Sequence, residues 1–514
     1  MAIRWLFPLA ALAASCSTSS EPGTSEEALG RAAPTVVRVE TGALEGVIEG
    51  PVRAFRGIPY AAPPVGDLRF RTPRPPLQWH GTRDASAFGN ICPQLGFDDP
   101  APYLGDEDCL TLNVFTEAAP PADPLPVMIF FHGGGSRLGS SAEATFDAPA
   151  LTAQHVVVVT VNYRLGGLGR LALPAFGRDR GHIGNWGNLD ELESIRWVWR
   201  NIRAFGGDRE RVLIFGESSG AGHVNDLLAS PEARGLVQAA IMESGLGGAY
   251  TVDQGYQISE AAAVTLGCGG AADEAACMRA LPAEAIVRAT FVKGLFPPPL
   301  IDGVFLTGDP IAAVEENGTV PLLIGSNHDE WTTVSGGADQ PLSADELTAQ
   351  VQAEFGDDAA AQLLPLYAYA ATPRLAYIAL ETDANVTCPT RKFARGASRH
   401  GRVFVYLYQH VLENAPDQLP FLAGHGYELP FVFGTLATAD DDYVPTDAEV
   451  QLSGLMTGAW AEMARHGRPR GPGLPDWPRY REGRPEILVW DDTPALVTGF
   501  HDAQCDTFEA IGWL

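Results

Sequence analysis

The chain has 514 residues, long for one hydrophobic core, so a large α/β protein with insertions or a two-domain chain is expected. Its apolar content of 46% against 19% charged residues excludes an extended disordered protein. A formal charge of −28 repels phosphate backbones and anionic membrane surfaces, which sets nucleic acid aside as a partner.

The first predicted element in chain order is a leader. Arg4 precedes an apolar stretch from Trp5 to Ala14, too short to span a bilayer and suited to a signal-peptide core. Ala13, Ala14 and Ser15 then lead into Cys16, an arrangement that resembles a bacterial lipoprotein cleavage site; ordinary cleavage near Ser15 is the alternative. Residues 1–15 are therefore read as a signal peptide, Cys16 as a lipid anchor, 16–34 as a polar tether and 35–514 as the folded domain. Export follows, to the periplasm or cell envelope as a lipoprotein, or otherwise by secretion. With Cys16 set aside, Cys92, Cys109, Cys268, Cys277, Cys388 and Cys505 form an even set whose wide spacings suit disulfides and not a zinc site.

Two short strands with a glycine turn fit "VVRVETGALEGVIEG" and "VRAFRGIPYA". Unbroken apolar runs follow at "LNVF" (112–115), "VMIFF" (127–131), "VVVVTV" (156–161), "VLIFGES" (212–218) and "AIMESG" (240–245). "PLLIGSN" (321–327), "VFVYLYQ" (403–409) and "ILVW" (487–490) continue the series. Such runs suit strands buried on both faces. Helical spacing separates several of them, notably in "NLDELESIRWVWRNIRAF" (188–205). The pattern predicts an α/β protein with a mostly parallel central sheet, helices on both faces and a helical cap drawn from 255–400. Chemistry in such sheets gathers at the carboxyl ends of the strands.

Ser218 lies between Gly216 and Gly220 at the end of a strand-like run, the pattern of a nucleophile on a sharp strand-to-helix turn. With 56 glycines in the chain the pattern alone decides nothing. "HGGGS" (132–136) also ends a buried run, and its glycines expose backbone N–H groups to a developing oxyanion; Gly134, Gly135 and Ser219 are the expected donors. An acid after a later strand is offered by Asp329 or Glu330. Of the downstream histidines His400, His410, His425, His466 and His501, His425 has the best setting, an exposed loop with glycine on each side.

These motifs, in this order, resemble the type-B carboxylesterase (cholinesterase-like) family of the α/β-hydrolase fold. "FRGIPYAAPPVGDLRF", "EDCLTLNV", "VNYRLGGLG", "GHGYELPFVFG" and "PDWPRY" extend the likeness over roughly residues 35–510. The resemblance implies Ser218 as nucleophile, His425 as base and Glu330 as acid, the last because it fills the final place of the family's N-x-D-E pattern. It places Glu217 and Ser244 in supporting positions, where a buried hydrogen-bonded pair behind the turn is the plainer reading. It also implies cysteines paired in chain order: Cys92–Cys109, Cys268–Cys277 and Cys388–Cys505. No metal or organic cofactor is implied, and the partner is a small-molecule ester.

Three departures stand out. Ser136 occupies the place of a large aromatic, Ser219 that of an alanine, and His223 that of a serine; His223 is read as a packing or loop-bonded histidine and not a second base. No tryptophan lies between Cys92 and Cys109, which argues against choline-ester selectivity. The reading is thus an exported serine esterase. A carbamate or natural-product-specific hydrolase and a non-catalytic neuroligin-like protein are the alternatives. The acyl and alcohol preferences and the oligomeric state stay open.

Overall fold

The computed structural model describes residues 34–96, 101–412, 414–439 and 443–514. The expected signal peptide, Cys16 and, apart from Pro34, the tether lie outside them. The apolar runs become the strands β1 (Val47–Glu49), β2 (Val52–Pro59), β3 (Thr111–Glu117), β4 (Leu125–Phe131), β5 (Val157–Val161) and β6 (Gly207–Glu217). β7 (Ala239–Glu243), β8 (Leu322–Asn327), β9 (Val403–Tyr408), β10 (Glu486–Trp490) and β11 (Ala495–Thr498) complete one sheet. Its spatial order is β11-β10-β9-β8-β7-β6-β4-β5-β3-β2-β1. The strands from β5 through β4 and β6 to β10 run parallel, and the two edges are closed by antiparallel pairings.

Period-two alternation divides each central strand between two cores. Ile129 and Phe131 of β4 face one side, with Val159 and Ile214; Met128 and Phe130 face the other, with Val158 and Phe215. Helices α1 (Trp186–Asn201), α2 (Ser219–Ala229) and α3 (Cys388–Ala397) cover the first side through Trp197, Leu192, Val224, Leu227 and Phe393. Helix α4 (Asp447–His466) covers the second through Leu452, Met456, Trp460 and Met463. A capping box between Thr446 and Glu449 starts α4, and Gly467 ends it in the left-handed conformation. The expected sheet with helices on both faces is what the chain forms.

Two details depart from the sequence reading. The N-terminal "VVRVETGALEGVIEG" is divided between two sheets: Val36–Val39 pairs with Gly42–Glu45, which pairs in turn with Thr82–Asp84 in a separate small sheet, while Val47–Glu49 is the edge strand β1 of the main one. The chain changes sheets at Gly46, where a Cβ would stand 2.4 Å from the carbonyl oxygen of Ala54. The helical insertion also has a core of its own. Leu347, Val351, Leu363, Tyr367 and Leu380 pack with Phe508 of the C-terminal helix Asp502–Ala510.

All three disulfides implied by the family resemblance form, with sequence separations of 17 for Cys92–Cys109, 9 for Cys268–Cys277 and 117 for Cys388–Cys505. Chain entropy weights them unequally: closing the longest loop is worth about 5 kcal/mol and the shortest about 2.6 kcal/mol. Urea unfolding of the double variants Cys388→Ala/Cys505→Ala and Cys268→Ala/Cys277→Ala should therefore show the larger loss for the first pair. The reverse order would mean that loop length does not govern their contribution.

Candidate active site

Ser218 follows directly on β6 and precedes α2, with φ 56° and ψ −124°. A positive φ at a non-glycine residue costs of order 1–3 kcal/mol and persists only where the surroundings impose it. They do so through packing that only glycine allows. A Cβ on Gly220 would stand 2.1 Å from the Phe131 carbonyl oxygen, one on Gly216 2.7 Å from the same atom, and one on Gly245 2.0 Å from the Ser218 carbonyl. Ser218 N–H donates to the Glu243 carbonyl at 2.8 Å, which ties the turn to the end of β7.

The loop after β4 curls beside this turn. Gly134 and Gly135 have φ of 92° and 62°, and among the described residues their N–H groups have no hydrogen-bond acceptor. Ser219 opens α2, where the leading N–H groups of a helix have no intrahelical partner. Ser136 N–H donates to Ser219 Oγ at 2.9 Å and holds the loop against the helix. The three expected donors thus flank Ser218, with two N–H groups left free.

Two further loops bring the remaining side chains. Glu330 follows β8; its Oε1 accepts from Asn327 N–H and its Oε2 accepts from His425 Nδ1, both at 2.6 Å. His425 N–H donates to Thr333 Oγ1 at 3.1 Å. Asp329 turns elsewhere, to His328 Nδ1 at 2.9 Å and the Ala423 N–H at 3.3 Å. The choice between Asp329 and Glu330, open in the residues themselves, is therefore decided geometrically for Glu330 as the partner of His425. His425 Nε2 passes 3.2 Å from Glu217 Oε1 without the alignment of a hydrogen bond. Among the described residues, neither Nε2 nor Ser218 Oγ has a hydrogen-bond partner.

Glu217 and Ser244 are buried behind the turn, but they do not bond to each other: Glu217 Oε1 and Ser244 Oγ are both unpartnered. Ser244 has a positive φ of its own, 53°, with its N–H on the Gly325 carbonyl. Burial opposes charge on His425, but Glu217 and Glu330 outweigh it and raise the imidazole to about 10. Burial raises Glu217 to about 7 against the attraction of His425. Glu243, whose Oε1 accepts from Trp460 Nε1 at 2.9 Å, is raised by its burial to about 8.

The chain is matched by the carboxylesterase family model over residues 33–508. It belongs to the carboxylesterase family. It is 35% identical to a para-nitrobenzyl esterase of Bacillus subtilis over 481 residues, 89% of this chain and 94% of that protein. It is 34% identical to a fumonisin B1 esterase of Sphingopyxis macrogoltabida over 519 residues, 95% of this chain and 90% of the relative. A solved PNB esterase superposes with a TM-score of 0.79 at 33% identity, covering 92% of this chain and all of that one. The fold is that of the α/β-hydrolases, and the carboxylesterase is a carboxylic ester hydrolase.

His223 is bonded within a network, as its setting in the sequence suggested. Its Nδ1 donates to Glu191 Oε1 at 2.6 Å, and its Nε2 lies 2.6 Å from Arg170 Nη2 and 2.8 Å from Ser136 Oγ. A guanidinium only donates, so Nε2 is the acceptor and the proton sits on Nδ1. Both ring nitrogens are occupied, which excludes His223 as a second base. Sequence reasoning missed Arg170, Glu191 and Asp226, which build this network; the unusual Ser136 and His223 were the only signals of it.

An imidazole raised above its unfolded value contributes stability that is fully present below about pH 6.5 and lost as pH rises through about 10. Glu330→Gln should lower the His425 titration midpoint, read by NMR of the labelled imidazole. It should also remove stability most at the acid end of that window. An unmoved midpoint would show that Glu330 does not hold the imidazolium.

Proposed function

We propose that Ser218 is the nucleophile of this carboxylesterase, His425 its general base and acid, and Glu330 the carboxylate that orients and stabilises the imidazole. The observation that carries the reading is the 2.6 Å Glu330–His425 pair beside a strained serine flanked by free N–H groups. Ser218 Oγ attacks the ester carbonyl carbon as Nε2 of the neutral imidazole, the form that gains population as pH rises toward about 10, takes its proton. The N–H groups of Gly134, Gly135 and Ser219 receive the oxyanion; one such donor is typically worth about 10²–10³ in kcat. The C–O bond breaks as His425 returns the proton to the leaving alkoxide, and water then releases the acid from Ser218 by the same route.

The substrate class is short- to medium-chain or aromatic acyl esters of neutral alcohols. Arg137 supports the exclusion of cationic alcohols: its Nε lies 3.3 Å from where a Cβ on Gly135 would stand, and its guanidinium covers the Phe291 ring at 5.3 Å. A positive charge beside the N–H donors repels a quaternary ammonium.

We also propose export, with a lipid on Cys16. Six of the seven cysteines pair in disulfides, which need an oxidising compartment, and Cys16 is the odd one left. Cys16→Ser should move the protein from the membrane fraction to the soluble fraction without lowering its specific activity; an unchanged distribution rules the anchor out.

Ser218→Ala should lower hydrolysis of a p-nitrophenyl ester by several orders of magnitude at unchanged thermal stability. An organophosphate adduct should map to Ser218. Mapping to Ser219 or Ser244 would reassign the nucleophile. Glu330→Gln should be severe and Asp329→Asn mild, and the opposite ranking would move the acid.

A further inference from the structure

The three residues at which the sequence departs from the family pattern, Ser136, Ser219 and His223, meet in one set of contacts. Ser136 N–H donates to Ser219 Oγ at 2.9 Å, and Ser136 Oγ lies 2.8 Å from His223 Nε2. The Ser136 carbonyl accepts from Gly166 N–H at 2.7 Å. Every polar group of Ser136 is therefore held, at a residue whose φ of 55° is costly for a serine. Behind it, Arg170 Nη2 reaches His223 Nε2 at 2.6 Å and Ser136 Oγ at 3.3 Å, and Glu191 Oε1 accepts from His223 Nδ1 at 2.6 Å. Arg170, Glu191 and His223 are all buried. The two ends of the loop are tied separately. Tyr163 OH donates to the His132 carbonyl at 2.5 Å, and the side-chain amide of Gln94 bonds Gly139 N–H at 2.8 Å and its carbonyl at 3.0 Å. Ser136 is the tie that adjoins Gly134 and Gly135.

The line Glu191–His223–Ser136 repeats the connectivity of Glu330, His425 and Ser218, but not their chemistry. A neutral imidazole has one lone pair in its plane, and at His223 Nε2 the guanidinium of Arg170 is the nearer donor to it, so no base is free to take the Ser136 proton. What the line supplies is rigidity. Gly134 and Gly135 are backbone with no side chain to hold it, and glycine loses the most freedom on ordering. An oxyanion hole owes its effect to donors already aimed before the charge develops. We propose that Ser136 and His223 are positioning residues for the oxyanion hole: Arg170 and Glu191 fix His223, His223 fixes Ser136, and Ser136 sets the direction of the Gly134 and Gly135 N–H groups. The inference rests on the esterase reading above. It also gives the serine at 219 a use, since its Oγ is the second anchor of Ser136. Where the family pattern has a large aromatic, this chain has a polar clamp.

The test compares p-nitrophenyl butyrate with its thiono analogue, in which sulfur replaces the carbonyl oxygen and is a poorer acceptor for aimed N–H groups. In the parent, kcat/KM should favour the oxo ester by about a hundredfold. Ser136→Ala should lower kcat for the oxo ester by about tenfold or more, with KM within about threefold. The thiono ester should lose much less, so the oxo-to-thiono ratio falls by about tenfold. His223→Leu should do the same, and adding Ser136→Ala to it should lower the ratio no further, because both act through one contact. The pH midpoint of kcat/KM should stay in place in each variant, since Glu330 and His425 are untouched. His223 is buried, so if His223→Leu does not fold, Ser136→Ala, which removes one oxygen from a half-buried residue, decides alone. Equal losses on the two esters, as a merely structural role would give, a change in KM alone, or a parent ratio near one would each overturn the clamp. So would an organophosphate adduct on Ser136, which would make that serine a second nucleophile. Activity retained by Ser218→Ala would instead overturn the esterase reading, whatever the ratio.

Discussion

Three stretches of backbone approach one another at the end of β4, the turn at Ser218 and the end of β7, and the active site depends on that closeness. Gly216 and Gly220 lie against the Phe131 carbonyl, and Gly245 lies against the Ser218 carbonyl. Any side chain at these places would push the strands apart by more than the pleat can absorb. Because parallel pairing sets β4, β6 and β7 side by side, their carboxyl ends form a common rim. The glycines let the loops from that rim converge over one serine. The strain at Ser218 is held by the register of the sheet, not by the turn itself.

Around the imidazole the structure gathers more negative charge than a single orienting carboxylate. Glu217, Glu243, Glu330 and Glu428 are all buried, and burial raises Glu217, Glu243 and Glu428 while their mutual repulsion reinforces it. Asn327 joins two of them, its N–H on Glu330 and its side-chain amide on Glu428. The site is thus a balance between desolvation, which disfavours every charge, and the one cationic state of His425 that the carboxylates share. Such a balance responds to its members, so replacing Glu428, which makes no contact with the imidazole, changes the basicity of His425 as replacing Glu217 or Glu330 does.

The strands were legible because burial on both faces leaves unbroken apolar runs, and each of the runs at 112–115 through 487–490 became a strand of the sheet. Ser218 and the glycines at 133–135 were legible because their geometry demands glycine at fixed offsets. The carboxylate that pairs with His425 was less so: Asp329 and Glu330 are adjacent, and only the direction of the loop after β8 separates them. The polar network was hidden for a different reason. Arg170, Glu191 and Asp226 come from three separate elements, and each has the composition of a solvated surface position. Nothing in their local sequence tells that they meet in the interior. The early sheet switch at Gly46 was equally silent, since one glycine in a β-rich stretch reads as a turn.

The Cys388–Cys505 bridge has a bearing on how the polypeptide behaves when it is cut. His425 lies inside the loop that this disulfide closes, as do β9, α4 and β10. A protease that nicks the chain anywhere between the two cysteines releases no fragment, because both new ends stay tethered through the bridge and through the strands on either side. The nicked enzyme would migrate at full size until a reductant is added.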